Sequence, residues 1–306
     1  MVISIIVLTY NEERHLARAL KSVAPIAHEV FVVDSFSSDR TLEIARANGA
    51  HVYQHKFINQ AKQFQWALEN LPITGSWVMR LDADEVLGAD LAAEISSQLR
   101  SLPAEVTGLT LRRRHIFLGR WIRYGGRYPL ILLRIWRRGS ARIEDRWMDE
   151  HIVLTSGRSQ PLYGEFSDYN LFSISEFIEK HNRYATREAV DILNDRYNLF
   201  HSDNAITSGN LSLQAAAKRF LKIRIYNALP FWISATLYFL YRYIIRLGFL
   251  DGTQGLIYHF MQGYWYRMLV GSKVFELEQR LLPVTSRDEM LVRLETFTGL
   301  QLRGGS

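Results

Sequence analysis

The chain of 306 residues contains no cysteine. Disulfide bonds and thiolate metal sites are therefore excluded. Two glycine-rich phosphate-binding patterns are also missing. The first strand-like segment runs into TYNEERH at 9–15, where a dinucleotide fingerprint would place G-x-G-x-x-G, and the pattern G-x-x-x-x-G-K-[ST] does not occur. Neither NAD binding through that fingerprint nor a Walker-type phosphate loop is expected.

Long uncharged runs are also scarce. Residues 225–241 carry no charged side chain, but the run includes Asn227 and Pro230 and falls short of the roughly 20 residues that span a bilayer. Five cations flank it: Arg219, Lys222, Arg224, Arg242 and Arg246. Basic flanks and aromatic residues favour an interfacial or re-entrant helix at a membrane surface, which residues 255–282 would extend. The alternative is an ordinary helix of a buried core.

The overall composition is that of a globular protein, with 48% hydrophobic and 22% charged residues. The net charge of +6 is compatible with nucleic acid, anionic lipid or a phosphate-bearing substrate. The chain carries no recognised nucleic-acid motif, so we do not expect a nucleic-acid partner.

Strand-like and helix-like segments alternate over the first 100 residues. The predicted strands are 2–8, 29–34, 51–55 and 77–82, and the predicted helices are 11–23, 37–49, 59–70 and 90–99. This alternation predicts an α/β fold with a mostly parallel, doubly wound sheet between helices. Residues 108–138 then alternate apolar with basic and aromatic residues, which indicates strands and a loop. Residues 174–193 form an amphipathic helix.

Polar clusters stand where three of the predicted strands end, at 9–13, 34–39 and 82–85. The carboxyl ends of parallel strands lie at one edge of a sheet, and ligands bind beyond that edge. We therefore expect these acids and hydroxyls to converge.

The strongest of these clusters is Asp82-Ala83-Asp84-Glu85. Two carboxylates spaced one residue apart at a strand end can bind a hard cation, which offsets their repulsion and can bridge a diphosphate. The alternative is a solvated turn with helix-capping acids. Because the motif ends a buried strand, we favour a metal site at Asp82 and Asp84, with Glu85 in support.

Asp34 ends the second predicted strand and is followed by several hydroxyl and acidic residues. Its carboxylate can accept a hydrogen bond from a base or a ribose hydroxyl. The alternative for this segment is capping of the next helix by Ser37, Ser38 or Asp39, and the two roles can coexist.

The segments IIVLTYNEERHLARALKSV, VFVVDSFSSDRTLEIARANGAHV, QAKQFQWAL and WVMRLDADE occur in this order. Together they resemble the family 2 glycosyltransferases, which have the GT-A nucleotide-sugar-binding fold. Later segments, including RRRHIFLGRWIRYGGRYPLILLRIWRR and YRYIIRLGFLDGTQGLIYHFMQGYWYR, are similar to bacterial lipopolysaccharide-core and lipooligosaccharide β-1,4-glucosyltransferases and related exopolysaccharide enzymes.

The resemblance implies a role for individual residues. A uridine pocket would be lined by Thr9, Tyr10, Glu12 and Asp34. Lys62 or Gln63 would lie near the nucleotide. Asp82 would face the ribose or the metal, and Asp84 would bind Mn²⁺ or Mg²⁺ on the diphosphate. Relatives often carry a Gln-Arg-Asn-like run where this chain has QFQ at 63–65.

An inverting transferase needs a carboxylate to deprotonate the acceptor hydroxyl. The segment WMDEHI at 147–152 contains the candidates. Glu150 matches the glutamate of a His-Glu pair in the resembling enzymes, and Asp149 is the second choice. His151 is a candidate for holding the metal or the diphosphate. The alternative is a polar strand end.

Basic residues follow the predicted sheet and include Arg113, Arg120 and Arg127. Their functional interpretation is phosphate recognition, on UDP or on a phosphorylated glycolipid acceptor. The alternative is a solvated strand face.

The sequence thus predicts a GT-A domain at 1–200, a helical membrane-associating region at 201–302 and a flexible tail at 303–306. The expected activity is transfer of a sugar, from UDP-glucose by the resemblance, to a lipid-linked saccharide at the cytoplasmic face of the bacterial inner membrane. The expected attachment is peripheral or monotopic, and a homo-oligomer is compatible with the sequence. Two alternatives stay open: a nucleotidyltransferase that forms nucleotide sugars, and a non-catalytic membrane-bound scaffold.

Overall fold

The computed structural model describes residues 3–144, 151–200, 229–282, 284 and 286–302. These residues divide into two compact units. Residues 3–144 and 151–171 belong to the first unit, and the described residues from 172 onward belong to the second.

The first unit contains eleven described strands and four described helices. The strands are β1 (Ile3–Thr9), β2 (Glu29–Asp34), β3 (His51–Gln54), β4 (Trp77–Asp82), β5 (Glu85–Leu87), β6 (Val106–Phe117), β7 (Arg120–Trp121), β8 (Leu130–Arg137), β9 (Ala141–Ile143), β10 (Ile152–Leu154) and β11 (Arg158–Tyr169). The helices are α1 (Leu16–Val23), α2 (Thr41–Ala47), α3 (Gln60–Asn70) and α4 (Ala89–Gln98).

The main sheet has the strand order β3-β2-β1-β4-β8-β6-β11-β5, with β7 paired to β6. Strands β1 to β4, β6 and β11 run in one direction, whereas β5, β7 and β8 run in the opposite direction. The predicted mostly parallel α/β sheet is confirmed. Strands β9 and β10 form a separate antiparallel pair.

Helices cover both faces of the sheet because its central strands are apolar on both sides. On β1, Ile5 and Val7 face a core that includes Leu16 of α1 and Leu91 of α4. Ile6, between them, faces a second core with residues of α3 and β8, among them Phe64, Ala67 and Trp136. This two-faced burial explains why the strands read as continuous apolar runs rather than alternating ones.

The second unit is helical in its described part. Its elements are α5 (Ile174–Tyr197), α6 (Phe231–Leu240), a π-helical turn (Tyr241–Ile245), a 3₁₀ turn (Gly248–Asp251), α7 (Gly252–Tyr258), a second π-helical stretch (His259–Trp265), α8 (Tyr266–Leu281) and α9 (Arg287–Thr298). Helices α5, α8 and α9 share a core that includes Leu193, Val270, Val274 and Leu294. Helix α5 therefore packs within the second unit, whereas the sequence-based boundary at 200 assigns it to the first domain.

None of the described helices combines the length and the apolar character that a bilayer crossing requires. Residues 225–228 of the expected interfacial segment lie outside the described residues, as does the tail at 303–306.

Candidate functional site

Three strand ends bring predicted site residues to one edge of the sheet. Thr9 ends β1 and lies opposite Asp34, which ends β2, in a parallel register. On the other side of β1, Leu8 lies opposite Asp82, which ends β4. The carboxyl edge of the parallel strands thus gathers a hydroxyl and two carboxylates from separate parts of the chain.

Asp34 is fully buried and organises the turn that follows β2. Its Oδ1 accepts hydrogen bonds from Thr9 Oγ1 at 3.0 Å and from Ser37 Oγ at 2.5 Å. Its Oδ2 accepts from the backbone N–H of Ser37 at 2.8 Å and from Gln54 Nε2 at 3.4 Å. Asp34 therefore shapes this edge, and its contact with uridine stays a prediction.

Asp39, one of the expected capping residues, binds the start of α2. Its Oδ1 accepts from the backbone N–H of Thr41 at 3.0 Å and from Thr41 Oγ1 at 2.5 Å. Partial burial opposes a low pKa for Asp39, but hydrogen bonds from Thr41 and Glu13 outweigh it and lower that pKa.

Tyr10 and Glu12 lie on a loop that is tied to the turn after β2. Asn11 between them has a left-handed backbone, with φ 57°, and its N–H donates to Ser37 Oγ at 2.8 Å. The N–H of Glu12 donates to Thr41 Oγ1 at 2.7 Å. The Tyr10 side chain is 61% exposed, so an aromatic ring is available to a ligand at this edge.

The Glu12 carboxylate is positioned by a buried histidine. Glu12 Oε2 lies 2.6 Å from His15 Nδ1, and His15 Nε2 accepts a hydrogen bond from the backbone N–H of Leu171 at 2.9 Å. An acceptor role at Nε2 assigns the ring proton to Nδ1, which therefore donates to Glu12.

Lys62 and Gln63 occupy the first turn of α3. Asn59 caps this helix, since its Oδ1 accepts from the backbone N–H of Lys62 at 2.7 Å. Oε1 of the buried Gln63 lies 2.7 Å from His55 Nδ1. Gln63 Nε2 donates a hydrogen bond to Ser35 Oγ at 3.2 Å. Gln63 thus links the turn after β2 to the segment after β3, whereas Lys62 is partly exposed.

Asp82 and Glu85 are both engaged by arginine. Arg80 Nε donates to Asp82 Oδ1 at 3.2 Å, and Arg134 Nη2 donates to Asp82 Oδ2 at 3.1 Å. The same Arg134 nitrogen donates to Glu85 Oε1 at 2.5 Å. Glu85 Oε2 accepts the backbone N–H of Asp82 at 3.0 Å. Glu85 is buried beneath Asp82 and supports the turn.

These charges displace two pKa values in opposite directions. Burial acts to raise the pKa of Asp82, but the guanidinium charges of Arg80, Arg134 and Arg113 outweigh it and hold that pKa well below its usual range. Burial raises the pKa of Glu85 above its usual range; the charge of Asp82 adds to this shift and Arg134 opposes it. Negative charge is therefore concentrated on Asp82, the more exposed of the two.

Asp84 lies partly exposed in the turn between β4 and β5. Its Oδ2 accepts a hydrogen bond from Asn170 Nδ2 at 3.0 Å. Its backbone carbonyl accepts from the N–H of Tyr169 at 2.9 Å. The end of β11 therefore holds the carboxylate that the sequence assigns to a divalent cation.

Arg113 faces the acidic strand ends from β6. Its Nη1 lies 3.8 Å from Glu85 Oε1 and 3.6 Å from Asp168 Oδ2. His115, two residues further along the same face, has its Nδ1 3.0 Å from Asp168 Oδ2. Arg113 thus contributes to charge balance within the acidic cluster.

The other predicted cations, Arg120 and Arg127, follow β6 in the chain. Arg114 points away from Arg113, because neighbouring residues on a strand face opposite sides of the sheet. Its Nε lies 3.2 Å from Glu165 Oε2. Arg120 is an exposed residue of β7. Arg127 follows in the next loop, where its backbone N–H donates to the Tyr124 carbonyl at 3.3 Å. Phosphate or acceptor binding by these residues stays a prediction.

His151 follows residues 145–150, which include both predicted bases, Asp149 and Glu150, and which lie outside the described residues. His151 Nδ1 lies 3.1 Å from Oε2 of the buried Glu144, and the His151 N–H donates to the same oxygen at 3.3 Å. This pair joins the two chain segments that flank the predicted base. The role of His151 as a metal ligand stays a prediction.

Within the part of the chain that the structure describes, no three histidine or acidic side chains are grouped to hold a metal ion. A cage made only of protein ligands therefore does not fit these residues. Mg²⁺ is commonly held by one or two carboxylates, with water and substrate phosphates completing its shell. Asp84 fits such a site. Asp82 fits less well, because both of its oxygens accept hydrogen bonds from arginine.

Several residues that position the site escaped sequence reasoning. These residues are Arg80, Arg134, Glu144, Asp168 and Asn170. Arg80 had a local signal, because it precedes Asp82 by two residues and so shares its side of β4. Arg134, Asp168 and Asn170 are brought to the edge by β8 and β11, and Glu144 lies against His151 after β9; none of them has a local signal.

Comparison with known proteins identifies the family. Residues 4–162 match the profile described as glycosyl transferase family 2. An uncharacterized glycosyltransferase of Rickettsia typhi is 27% identical over 268 residues, which cover 83% of this chain and 80% of that protein. An uncharacterized glycosyltransferase of Rickettsia conorii is 42% identical over 93 residues, covering 30% of this chain and 32% of the relative.

Among solved structures, the chain is similar to glucosyl-3-phosphoglycerate synthase from Mycobacterium tuberculosis, in complex with Mn²⁺, uridine diphosphate and glucosyl-3-phosphoglycerate. The identity is 20% and the TM-score is 0.31, and the match covers 37% of this chain and 44% of that one. The chain thus spans most of the Rickettsia typhi protein but less than half of the other two. Because the family profile covers more than half of the chain, the protein belongs to glycosyl transferase family 2 and has an α/β fold of the GT-A type.

Proposed function

We propose that the protein is an inverting, metal-dependent glycosyltransferase that uses a UDP-sugar. The observation that carries this proposal is the gathering of Thr9, Asp34, Asp82 and Asp84 around one carboxyl edge in a family 2 chain. Ligands of α/β sheets bind at such an edge. UDP-glucose is the donor that we infer from the sequence resemblance.

The nucleotide half of the donor would occupy the edge formed by β1 and β2. Tyr10 offers an exposed ring against which uracil can stack. The hydrogen bonds between the loop after β1 and the turn after β2 hold this side of the site in place before a ligand arrives. Such preorganisation lowers the entropic cost of binding.

The diphosphate would lie near the end of β4. Asp84 is the residue to which we assign Mn²⁺ or Mg²⁺, because a cation at Asp82 would compete with Arg80 and Arg134. The metal, when bound, supplies positive charge that stabilises the departing UDP. Asp82 would then serve mainly to orient Arg134 and, by the resemblance, to contact the ribose.

The proton chemistry would belong to Glu150, with Asp149 as the alternative. The acceptor hydroxyl loses its proton to this carboxylate while its oxygen attacks the anomeric carbon. The bond between that carbon and UDP breaks on the opposite face, which inverts the configuration. Within the same proposal the acceptor is a lipid-linked saccharide of a bacterial surface glycan, and transfer takes place at the cytoplasmic face of the inner membrane.

The test is release of UDP by the purified full chain, from a panel of nucleotide sugars with and without Mn²⁺. One UDP-sugar should be turned over, and excess chelator should abolish turnover. Asp84→Asn should lower the rate by about 100-fold or more, a loss typical of removing charge stabilisation in the transition state. Asp195→Asn, which removes an exposed carboxylate from α5, is the matched control and should keep the full rate.

The base is tested by Glu150→Gln beside Asp149→Asn. The first variant should still bind UDP but lose transfer, and the second should keep most of it. The reverse pattern would assign the base to Asp149.

Undiminished turnover in excess chelator would refute the proposed metal dependence. Pyrophosphate release from UTP and a sugar 1-phosphate would instead support a nucleotidyltransferase, and UDP binding without turnover of any donor would support a scaffold.

A further inference from the structure

Residues 231–265 of the second unit, named here the inverted segment, have the burial pattern of a soluble protein turned inside out. Large apolar side chains cover its outside, and nine of them are at least 45% exposed: Trp232, Leu237, Tyr241, Ile244, Ile245, Leu247, Phe249, Leu250 and Phe260. Soluble proteins rarely expose contiguous apolar patches of this kind without a partner.

The interior of the inverted segment holds charged groups instead. Arg242, Asp251 and His259 are each at most 2% exposed. His259 Nε2 lies 3.7 Å from Asp251 Oδ2. The Arg242 guanidinium lies 5.5 Å from the ring centres of both Tyr238 and Tyr258. These polar groups meet one another and aromatic faces rather than water.

Glycines allow the backbone to close around these groups. A Cβ on Gly248 would lie 2.7 Å from the His259 ring, and one on Gly255 would collide with the Cβ of Asp251. Gly263 lies against Arg242, whose Nη1 would be 3.5 Å from a Cβ placed there. Small residues at such contacts are the usual means by which helices approach closely in lipid.

Water cannot account for this arrangement, because it would favour Arg242 and Asp251 outside and the isoleucines inside. Hydrocarbon reverses both preferences, since charged residues within a membrane face the interior of the protein and apolar ones face lipid. The first helical stretch of the segment is also too short to cross a bilayer. The continuous helical stretch of 231–245 is about 22 Å long at 1.5 Å per residue, against about 30 Å of hydrocarbon.

We propose that the inverted segment embeds in one leaflet of a lipid bilayer, with its apolar exterior in the acyl chains and its charged groups enclosed. Arg246, which is exposed beside the apolar residues, reaches back to the lipid phosphates, as long cationic side chains do at membrane interfaces. The inference does not depend on sugar transfer. It assigns the interfacial character expected for residues 225–241 to a defined surface and to a depth of one leaflet.

The absence of cysteine makes a direct test simple, because one introduced cysteine can carry the only fluorophore. An environment-sensitive nitrobenzoxadiazole label goes on Ile245→Cys, the most exposed apolar position of the segment. The matched control is Phe297→Cys on α9, an exposed apolar position outside the segment. Both full-length proteins are mixed with vesicles of phosphatidylethanolamine and phosphatidylglycerol, with and without a doxyl quencher on the acyl chain.

The label at 245 should shift to the blue and be quenched several-fold by the acyl-chain doxyl group, while the label at 297 should change little. Ile245→Glu should weaken partitioning to these vesicles about tenfold or more, since it removes a buried apolar side chain from lipid. Phe297→Glu should not. An unquenched label at 245 would overturn the proposal. So would a blue shift that needs no lipid and grows with protein concentration, because the surface would then bind a second copy of the chain.

Discussion

Arg134 lies on β8 between two carboxylates of the acidic strand end. One of its nitrogens reaches both Asp82 and Glu85, and all three groups are largely or fully buried. A cation in this position lets two acids stand close together without a metal ion. It also means that the loss of Arg134 leaves Glu85 buried with its main partner missing.

Arg134→Met should therefore lower the free energy of unfolding by about 3–5 kcal/mol, the usual result of removing one partner of a buried ion pair. Urea denaturation measures this change. Adding Asp82→Asn to Arg134→Met should restore part of the loss, because Asp82 carries the negative charge that Arg134 no longer balances.

The exposed pair of Arg40 and Glu43 provides the control for Arg134. Arg40→Met removes the same chemical group from the surface and should leave the urea midpoint unchanged within error. Equal losses at both positions would contradict the special role of Arg134.

At the acidic strand end, the sequence carries a local signal for some residues and none for others. Asp82 and Asp84 stand out because two acids follow a buried apolar strand. Arg134 and Asn170 do not, since they lie 52 and 86 residues away in sequence from the carboxylates that they contact. Only the pairing of β8 and β11 into the sheet brings them there.

Strands and helices were predictable from the sequence where an unbroken run of apolar residues is buried. Strands β2 and β4 have the bounds expected from their apolar, β-branched runs. Strand β11 was missed, because Pro161 and Gly164 interrupt a sequence rich in polar residues. Its register with β6 shifts at the same place. A strand of this kind is held by its neighbours more than by its own propensity.

The start of α3 offers a prediction about one element. Asn59→Ala removes the side chain that accepts the Lys62 N–H, so we expect a loss of about 1 kcal/mol in unfolding free energy. Asn59→Asp should keep the cap and most of the stability. If the first turn of α3 also serves the nucleotide, the alanine variant should raise the KM for the donor, and an unchanged KM would separate the helix cap from binding.

At the opposite end of the sheet, Glu29 joins β2 to β1 and to the loop before β4. Its Oε1 accepts from Ser4 Oγ at 2.5 Å and from the backbone N–H of Thr74 at 2.8 Å. Partial burial opposes a low pKa for Glu29, but these hydrogen bonds and one from Gly75 outweigh it and lower that pKa below 4.5.

A lowered pKa in the folded state adds stability that is present above the unfolded pKa and is lost as the pH falls through the folded value. Glu29→Gln should therefore be less stable than the parent at neutral pH, and the difference should close below pH 4.5. Measuring the unfolding free energy of both proteins from neutral to acidic pH tests the sign of this pH dependence. Glu69→Gln removes an exposed carboxylate from α3 and should leave the curve unchanged. A difference that widens in acid would refute the assignment.

Among the described residues, hydrophobic cores lie on the two faces of the sheet, and a separate core lies among α5, α8 and α9. We expect calorimetry to resolve more than one unfolding transition. UDP with Mn²⁺ should stabilise only the sheet unit. At a UDP concentration 100 times the dissociation constant, the unfolding free energy of that unit should rise by about 2.7 kcal/mol. Asp84→Asn should abolish the shift. A single transition that moves as a whole would show that the units unfold together.

The hydrogen bond from the Leu171 N–H to His15 joins residues that are 156 positions apart, and it has a consequence for how the protein is made. Glu12 and His15 leave the ribosome early, whereas β11 and its end follow much later. At roughly 5–20 residues per second, about 8–30 s pass between the synthesis of His15 and that of Leu171. During this interval the nascent chain carries the loop after β1 without the residue that closes it. The site therefore assembles late in translation.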